Sequence, residues 1–473
     1  MRKRSEITQD RSLGLVGGSN YGIDPKISPE RTYNMFISDN WLLSNPGYKK
    51  VATILDSAEG RGIYGSTRFN HMIAVIDDGV YIITPGNSFT RIATIASSTG
   101  DAFICENEKR EFAICDKVNI YIYNYATGSF TTTSLDFIPQ YIAYQDGRFI
   151  SCGLVKATGQ PQWRLCDITD STSWPDDTNH AQTFNEADQV MATVPFPGKK
   201  NVLVIFGKVT SQFQTDVGYQ LFPYQLNTYY NVDFGCLNQA TIASNDEMVV
   251  WLGVNEKSGP AIRYSNGGKA ERISTDGIDE KLSQLKHPEV SYGFMFEQNG
   301  HQIYQIAFPK DNFSMIYDFK TGKPFDVCDS NMNCHIAKRI THFNNTYYFV
   351  SFVDGNLYEL NSKYTNFDGA EIQRLRIPPT IRFPNSRPFV TNNVTFPIKQ
   401  GQSPNPQRVD ISISDDGGVS FGNYVGYDLN TQGNQINMFD SWNLGQSNEL
   451  TLQIRFWGDS SFVVGEGLAS VYQ

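Results

Sequence analysis

HMIAVIDDGVYIIT, residues 71–84, decides the fold. Apolar residues fill two short runs, and Asp77-Asp78-Gly79 separates them as a hairpin turn in which Gly supplies positive φ. The same plan of strand, turn and Tyr-bearing strand returns along the chain. REFAICDKVNIYIYN (110–124), YIAYQDGRFISCG (141–153, turning at Asp146-Gly147) and NVLVIFGKVTSQFQ (201–214) follow it. So do EMVVWLG (247–253), HQIYQIAFPKDNFSMIYDFKTGKPF (301–325) and NTYYFVSFVDGNLYELN (345–361, turning at Asp354-Gly355). These are about seven units spaced by roughly 35–50 residues, the period of propeller blades. A lone four-stranded blade leaves both faces wet, and a ring of blades buries them. The expected architecture is all-β: a propeller of six or seven blades, followed by a β-sandwich-like domain.

Outside this repeat the signals are few. Asp276–Lys286 carries Ile278, Leu282 and Leu285 at helical spacing, with Thr275 or Asp276 as N-cap. Arg374, Arg376 and Pro378-Pro379 mark a change of character near residue 370, after which FVTNNVTFPI, RVDISIS and LTLQIRFWG read as strands. The division expected is residues 1–55 as N-terminal arm and lead-in, 56–369 as propeller and 370–473 as sandwich. The polar first ~30 residues read as an arm that only a partner orders.

With 473 residues, 40% hydrophobic and 13% aromatic, the chain can build a large core. A net charge of −10 argues against gripping DNA phosphates, although a like-charged wall suits a channel along which DNA slides. Seven scattered cysteines without a CxxC pair argue against a disulfide framework and for a reducing compartment. No apolar stretch follows MRKRSEITQD, so no signal peptide is expected, and no run is long enough to span a membrane. Assembly in a cytoplasm is expected.

Catalytic patterns are weak. Asp167/Asp170 and Glu186/Asp188 are carboxylate pairs of the kind glycoside hydrolysis uses. SDDGGVSF, with Ser414, Asp416, Gly418, Ser420 and Phe421, fits the Asp-box pattern of sialidase propellers, where the box is a structural turn. A glycan-binding or glycan-cleaving propeller is therefore the alternative reading, and it needs a carboxylate-rich pocket at the ring centre. Cys328, Cys334, His335 and His342 lack the spacing of a zinc knuckle, so no metal is expected, and neither GxxxxGK[ST] nor GxSxG occurs. No cofactor is expected. Lys49-Lys50 and Lys199-Lys200 read as basic doublets in loops.

Several stretches together resemble the tail accessory, or packaged-DNA stabilisation, proteins of short-tailed phages, also called tail hubs or nozzles. SPERTYNMFISDN and WLLSNPGYKKV (28–51) match on Arg31, Asn34, Met35, Leu43, Pro46 and Gly47. The segment 163–218 matches on Trp163, Asp167, Trp174, Glu186, Asp188, Val190, Phe206, Gly207, Thr210 and Gly218, with Gln212 where many members carry Glu. YSNGGKAERISTDGIDEKL (264–282) and SISDDGGVSFG (412–422) match further on. The resemblance implies a non-enzymatic virion tail protein: a homo-hexameric hub on the portal–adaptor proteins. Such a hub retains packaged DNA until ejection, passes DNA without reading its sequence, and carries tailspikes or fibres and a needle or plug. It implies no membrane insertion. Arg31, Asn34, Met35, Trp163, Asp167, Trp174, Arg374 and Arg376 are the expected interface residues, and Ser414, Asp416 and Gly418 the expected structural turn.

Overall fold

The computed structural model describes residues 8–22, 30–175, 180–182, 188–219, 222–227, 232–267, 269–383, 387–401, 403–430, 433 and 437–472. Seven antiparallel sheets form a ring of blades. Blades 1 to 6 occupy Gly60–Thr94, Phe103–Thr132, Phe137–Gln182, Val190–Leu226, Gly235–Arg272 and Tyr292–Asp326. Blade 7 takes three strands from Ala337–Asn361 and its outermost from Gly47–Leu55, which pairs antiparallel with Gly355–Asn361. The ring is thus closed by strands whose paired residues lie 300 or more positions apart, such as Gly355 with Leu55, and each hairpin read from the sequence falls in its own blade. Lys49 and Lys50, expected in a loop, lie on this closing strand opposite Glu359 and Tyr358.

Physical necessity shows in the core. Neighbouring blades enclose apolar clusters: Ile73, Val75, Ile114 and Tyr121 between blades 1 and 2, and Phe206, Phe213, Trp251 and Cys236 between blades 4 and 5. Met72, Ala74, Val350 and Leu357 seal blade 7 against blade 1. The turn glycines work differently from expectation. Gly147 does take positive φ (+83°). At 77–79, however, Asp77 takes it (+53°), and a Cβ on Gly79 would meet the Tyr81 ring at 2.5 Å. Gly355 likewise makes room, since a Cβ there would lie 2.2 Å from the Leu55 carbonyl of the closing strand.

The helix forms over Asp276–Ser283, with Thr275 capping the Ile278 N–H and Ile278 and Leu282 buried against blades 5 and 6. Beyond blade 7, Arg374–Ile377, Glu449–Trp457, Arg408–Ser414 and Val425–Asp428 continue the ten-stranded sheet that begins with blade 6. Met438–Ser447, Phe389–Pro397, Leu468–Tyr472 and Gln9–Ser12 form another. Phe396, Phe439, Val409, Ile454 and Val471 belong to a core continuous with Phe296 and Ile316 of blade 6 and Phe349 of blade 7. One sheet and one apolar core extend across the change of character near residue 370. Arg31–Tyr33 bridges the sheets, running parallel to the outer strand of blade 6 and antiparallel to Arg374–Ile377.

Residues 8–22 also depart from expectation. They dock within the chain: Gln9–Ser12 pairs with Leu468–Val471, and Leu13 and Leu15 are buried. The segment reads as a loose arm because backbone hydrogen bonds hold most of it, and these leave no hydrophobic period.

Candidate functional site

The motif residues near the N-terminus converge on a seam between residues 8–22 and 30–34, blade 6 and the C-terminal sheets. Arg376 is fully buried and uses all of its nitrogens. Its Nε donates to the Leu15 carbonyl (2.9 Å), Nη1 to the Gly18 carbonyl and Thr32 Oγ1, and Nη2 to the Gly14 carbonyl and the Glu30 carboxylate. Burial pulls its pKa down to about 10, with Glu30 opposing. Arg374 is buried over the Phe462 ring and donates to the carbonyls of Thr365 (2.9 Å) and Gly458. Asn34, at φ +54°, ties three segments: Nδ2 donates to the carbonyls of Cys328 and Gln373, and Oδ1 accepts from the Cys328 N–H. Met35 is completely buried in the shared core. Nearby, Ser19 and Tyr21 donate to Asp326, a buried carboxyl whose pKa is raised chiefly by desolvation. Arg31 is half-buried over the Tyr21 ring and donates to the carbonyls of Asn20 and Glu30.

Within the single chain Asn34, Met35, Arg374 and Arg376 are buried by the chain's own residues, and so are two of the expected residues in blade 3. Trp163 is buried against Phe222 and Tyr224 of blade 4, and Trp174 against Phe137. Arginine and tryptophan are enriched at interfaces, and the arginine that a chain buries by pairing it internally is an exception that residue type alone does not reveal. Arg31 and Asp167 keep some exposure.

The carboxylate pairs are structural where described. Asp167 caps the Thr169 N–H and hydroxyl, and Asp170 does the same for Thr172. Asp188 is buried and accepts from the N–H groups of Lys208, Val209 and Thr210 and from the Thr210 hydroxyl. A Cβ on Gly207 would fall 2.2 Å from its carboxylate. Asp188, Gly207 and Thr210 are therefore one turn, which accounts for their appearing together in the sequence. Glu186 lies outside the described residues. In the Asp-box stretch, Asp416 accepts from the N–H groups of Val419 and Ser420, and Ser414 Oγ accepts from Gly418. Donation by the Ser414 hydroxyl first, then by the Ser420 hydroxyl and the Ser420 and Val419 N–H groups, holds the Asp416 carboxyl well below the usual range.

The ring centre is crossed by side chains. Arg339 of blade 7 lies over Phe103 of blade 2 (5.1 Å) and donates to the Ala240 carbonyl of blade 5 (3.0 Å), while Phe103 packs on Tyr141 of blade 3 (4.4 Å). Beside it, buried Lys338 pairs with Glu59 and Asp101. Arg61 donates to the Asp77, Ser97 and Gly100 carbonyls. Among the described residues the centre holds cations and aromatic rings, with the Glu59 and Asp101 carboxylates paired to Lys338.

One constellation escaped the sequence reading. His301 is buried with Nδ1 against Asp318 (2.9 Å) and Nε2 against Ser38 (3.1 Å). The connectivity is that of a hydrolase triad, but Asp318 also accepts from Lys320 and Thr321 in its own turn. The arrangement pins the 35–44 hairpin to blade 6. His301 and Asp318 are 17 residues apart but Ser38 lies 263 residues from His301, so no local spacing rule exposes the set. Cys328 and Cys334 are buried free thiols, His335 is buried beside Tyr48, and His342 is exposed. Among the described residues no group of three or more His, Cys, Asp and Glu side chains could hold a metal ion, and no helix is long and apolar enough to cross a membrane.

The fold is thus a seven-bladed propeller closed by an N-terminal strand and fused at blade 6 to a C-terminal sheet pair. Residues 30–362 match the family model described as bacteriophage P22 Gp10, beta-propeller, and the chain belongs to that family. The match spans the bridging strand and all seven blades. Membership makes this a structural protein of the phage tail with a part in stabilising packaged DNA. The chain has no match among curated proteins. Solved structures resemble it at low identity. Streptogramin B lyase aligns at 11% identity over 67% of this chain and 98% of its own, with a TM-score of 0.44. A catalytically inactive virginiamycin B lyase from Staphylococcus aureus with quinupristin aligns at 10% over 66% and 98%, TM-score 0.48. The Neurospora crassa Pan2 WD40 domain aligns at 8% over 69% and 97%, TM-score 0.42.

Proposed function

We propose that six copies of this chain form the hub or nozzle of a short phage tail, extending the portal–adaptor channel, retaining packaged DNA and carrying spikes or fibres and a plug. The protein catalyses no reaction in this reading, and it assembles in the host cytoplasm. Family membership over residues 30–362 carries the proposal. Two physical points support it. The axis of each propeller is crossed by Arg339, Phe103 and Tyr141, so DNA travels between copies and not through one. The net charge of −10 keeps such a passage from holding the polyanion. The rigid blade 6 seam lets the propeller and the sheet pair act as one body around the channel. Arg31 and Asp167 are the expected interface residues that retain exposure.

The test is the mass of the protein alone and after mixing with its virus's portal–adaptor complex, with electron microscopy of the product. About six copies capping the adaptor around an axial opening are expected. A chain that stays monomeric and leaves the complex bare overturns the reading.

A further inference from the structure

A groove opens where blades 5, 6 and 7 meet, on the side of the Asn299-Gly300 and Asn344-Asn345 turns. It has two lobes of about 430 and 730 Å³ that share Phe296, Glu297, His342, Asn345 and Tyr347. Its chemistry is one-sided. Asp246, Glu247 and Glu297 line it, all exposed, and no ion pair is formed by any of them among the described residues. Among the described residues no lysine or arginine lines either lobe. Tyr347 and His342 stand together with ring centroids 4.9 Å apart, and the Tyr347 hydroxyl is fixed by the Glu297 N–H (2.9 Å). Gln298, only 8% exposed, also lines the groove, and its Oε1 is buried without a hydrogen-bond partner. A buried acceptor left unpaired costs about 1–3 kcal/mol, so it calls for a donor from outside.

Carboxylates, an orphan amide oxygen and aromatic faces all favour a donor-rich cation. Phosphate is repelled, which excludes nucleic acid. The carboxylates are too spread to enclose a metal ion among the described residues, so the cation must arrive on a long side chain. We propose that this groove is a docking site for a partner-protein segment that presents arginine or lysine side chains. The inference rests on the assembly reading only for the partner's being another tail protein.

The test uses the full chain and a fluorescein-labelled acetyl-triarginine peptide, followed by anisotropy at low and at about 0.15 M salt, where charge screening acts within about 8 Å. Saturable binding that weakens with salt is expected, with none for a triglutamate peptide. Asp246→Asn, Glu247→Gln and Glu297→Gln together should weaken binding about tenfold or more, since each removes a charged acceptor for the peptide's guanidinium donors. Gln298→Met should weaken it by about threefold without lowering thermal stability. A charge-matched control, Asp56→Asn, Glu256→Gln and Asp428→Asn, removes exposed carboxylates elsewhere and should stay within about twofold of the parent. Equal weakening by both triple variants means net charge alone attracts the peptide and overturns the site. So does unchanged binding by the groove variant, or none by the parent. These readouts need no assembly, so failure of the hexamer leaves them standing and their failure leaves the hexamer standing.

Discussion

The ring and the seam are held together by opposite means. Around the ring, every blade contact repeats one solution: apolar side chains from two sheets interdigitate, and the loss of one is shared by its neighbours. At the seam, few residues do much more each. Arg376 alone holds three backbone carbonyls, a hydroxyl and a carboxylate, and Asn34 alone joins three segments. A repeated apolar contact tolerates small changes of volume. A buried polar hub does not, because each partner it releases stays buried without a substitute.

Arg376→Met should therefore give the largest effect. It keeps an unbranched apolar stem but strands the Gly14, Leu15 and Gly18 carbonyls and leaves Glu30 unpaired. Breaking such a group costs about 3–5 kcal/mol. Hydrogen exchange should show residues 8–22 losing protection while blades 1 to 4 keep theirs. Uniform loss over the whole chain would mean that ring and seam are not separable.

Next comes His335, where the seam core meets blade 7. Burial lowers its pKa to about 4, and Nδ1 accepts from Gln305 and from the Ala337 N–H, so the folded protein holds it neutral. The unfolded chain titrates it near 6.5, so between those values the unfolded state binds more protons and stability rises with pH. Acidification from 6.5 to 4 should cost the parent about 3 kcal/mol more than His335→Gln, read from denaturant unfolding at each pH. Parallel pH profiles would show that His335 is not buried neutral.

The contrast also explains what could be read in advance. Hairpins were legible because a buried strand pair needs apolar runs and a tight turn, both local demands: residues 71–84 and 141–153 carry them plainly. The closing strand Gly47–Leu55 was not, because its partner lies some 300 residues on and its outward Lys49 and Lys50 imitate a loop. Blade 5 hid its inner strand, which is broken by the Gln239–Thr241 turn capped by Asn238. The seam was half legible. Arg31, Asn34, Met35, Arg374 and Arg376 stood out as a group and do gather in space, yet a sequence does not say whether arginine's partners are another molecule or the chain's own carbonyls. The groove at blades 5 to 7 draws on turns from three blades, and nothing local marks it.

Two smaller effects sharpen the comparison within the ring. Asp188→Ala removes a buried cap from three N–H groups of the blade 4 turn and should cost about 1–3 kcal/mol, seen as a lower midpoint in urea. Ile114→Val trims one methylene from the blade 1–2 contact, where Ile73, Val75 and Tyr121 surround it. The predicted cost is about 0.5–1.5 kcal/mol, because the cavity left is small and its neighbours can close on it. The order of the two matters more than either size. Both residues are fully or nearly buried in the same ring, so burial alone ranks Ile114 first. If polar satisfaction sets the local cost, Asp188 ranks first, as Arg376 does at the seam. A larger loss at Ile114 would mean that the ring is held by packing so close that even its turns are secondary, and the division between ring and seam would have to be drawn by packing density instead.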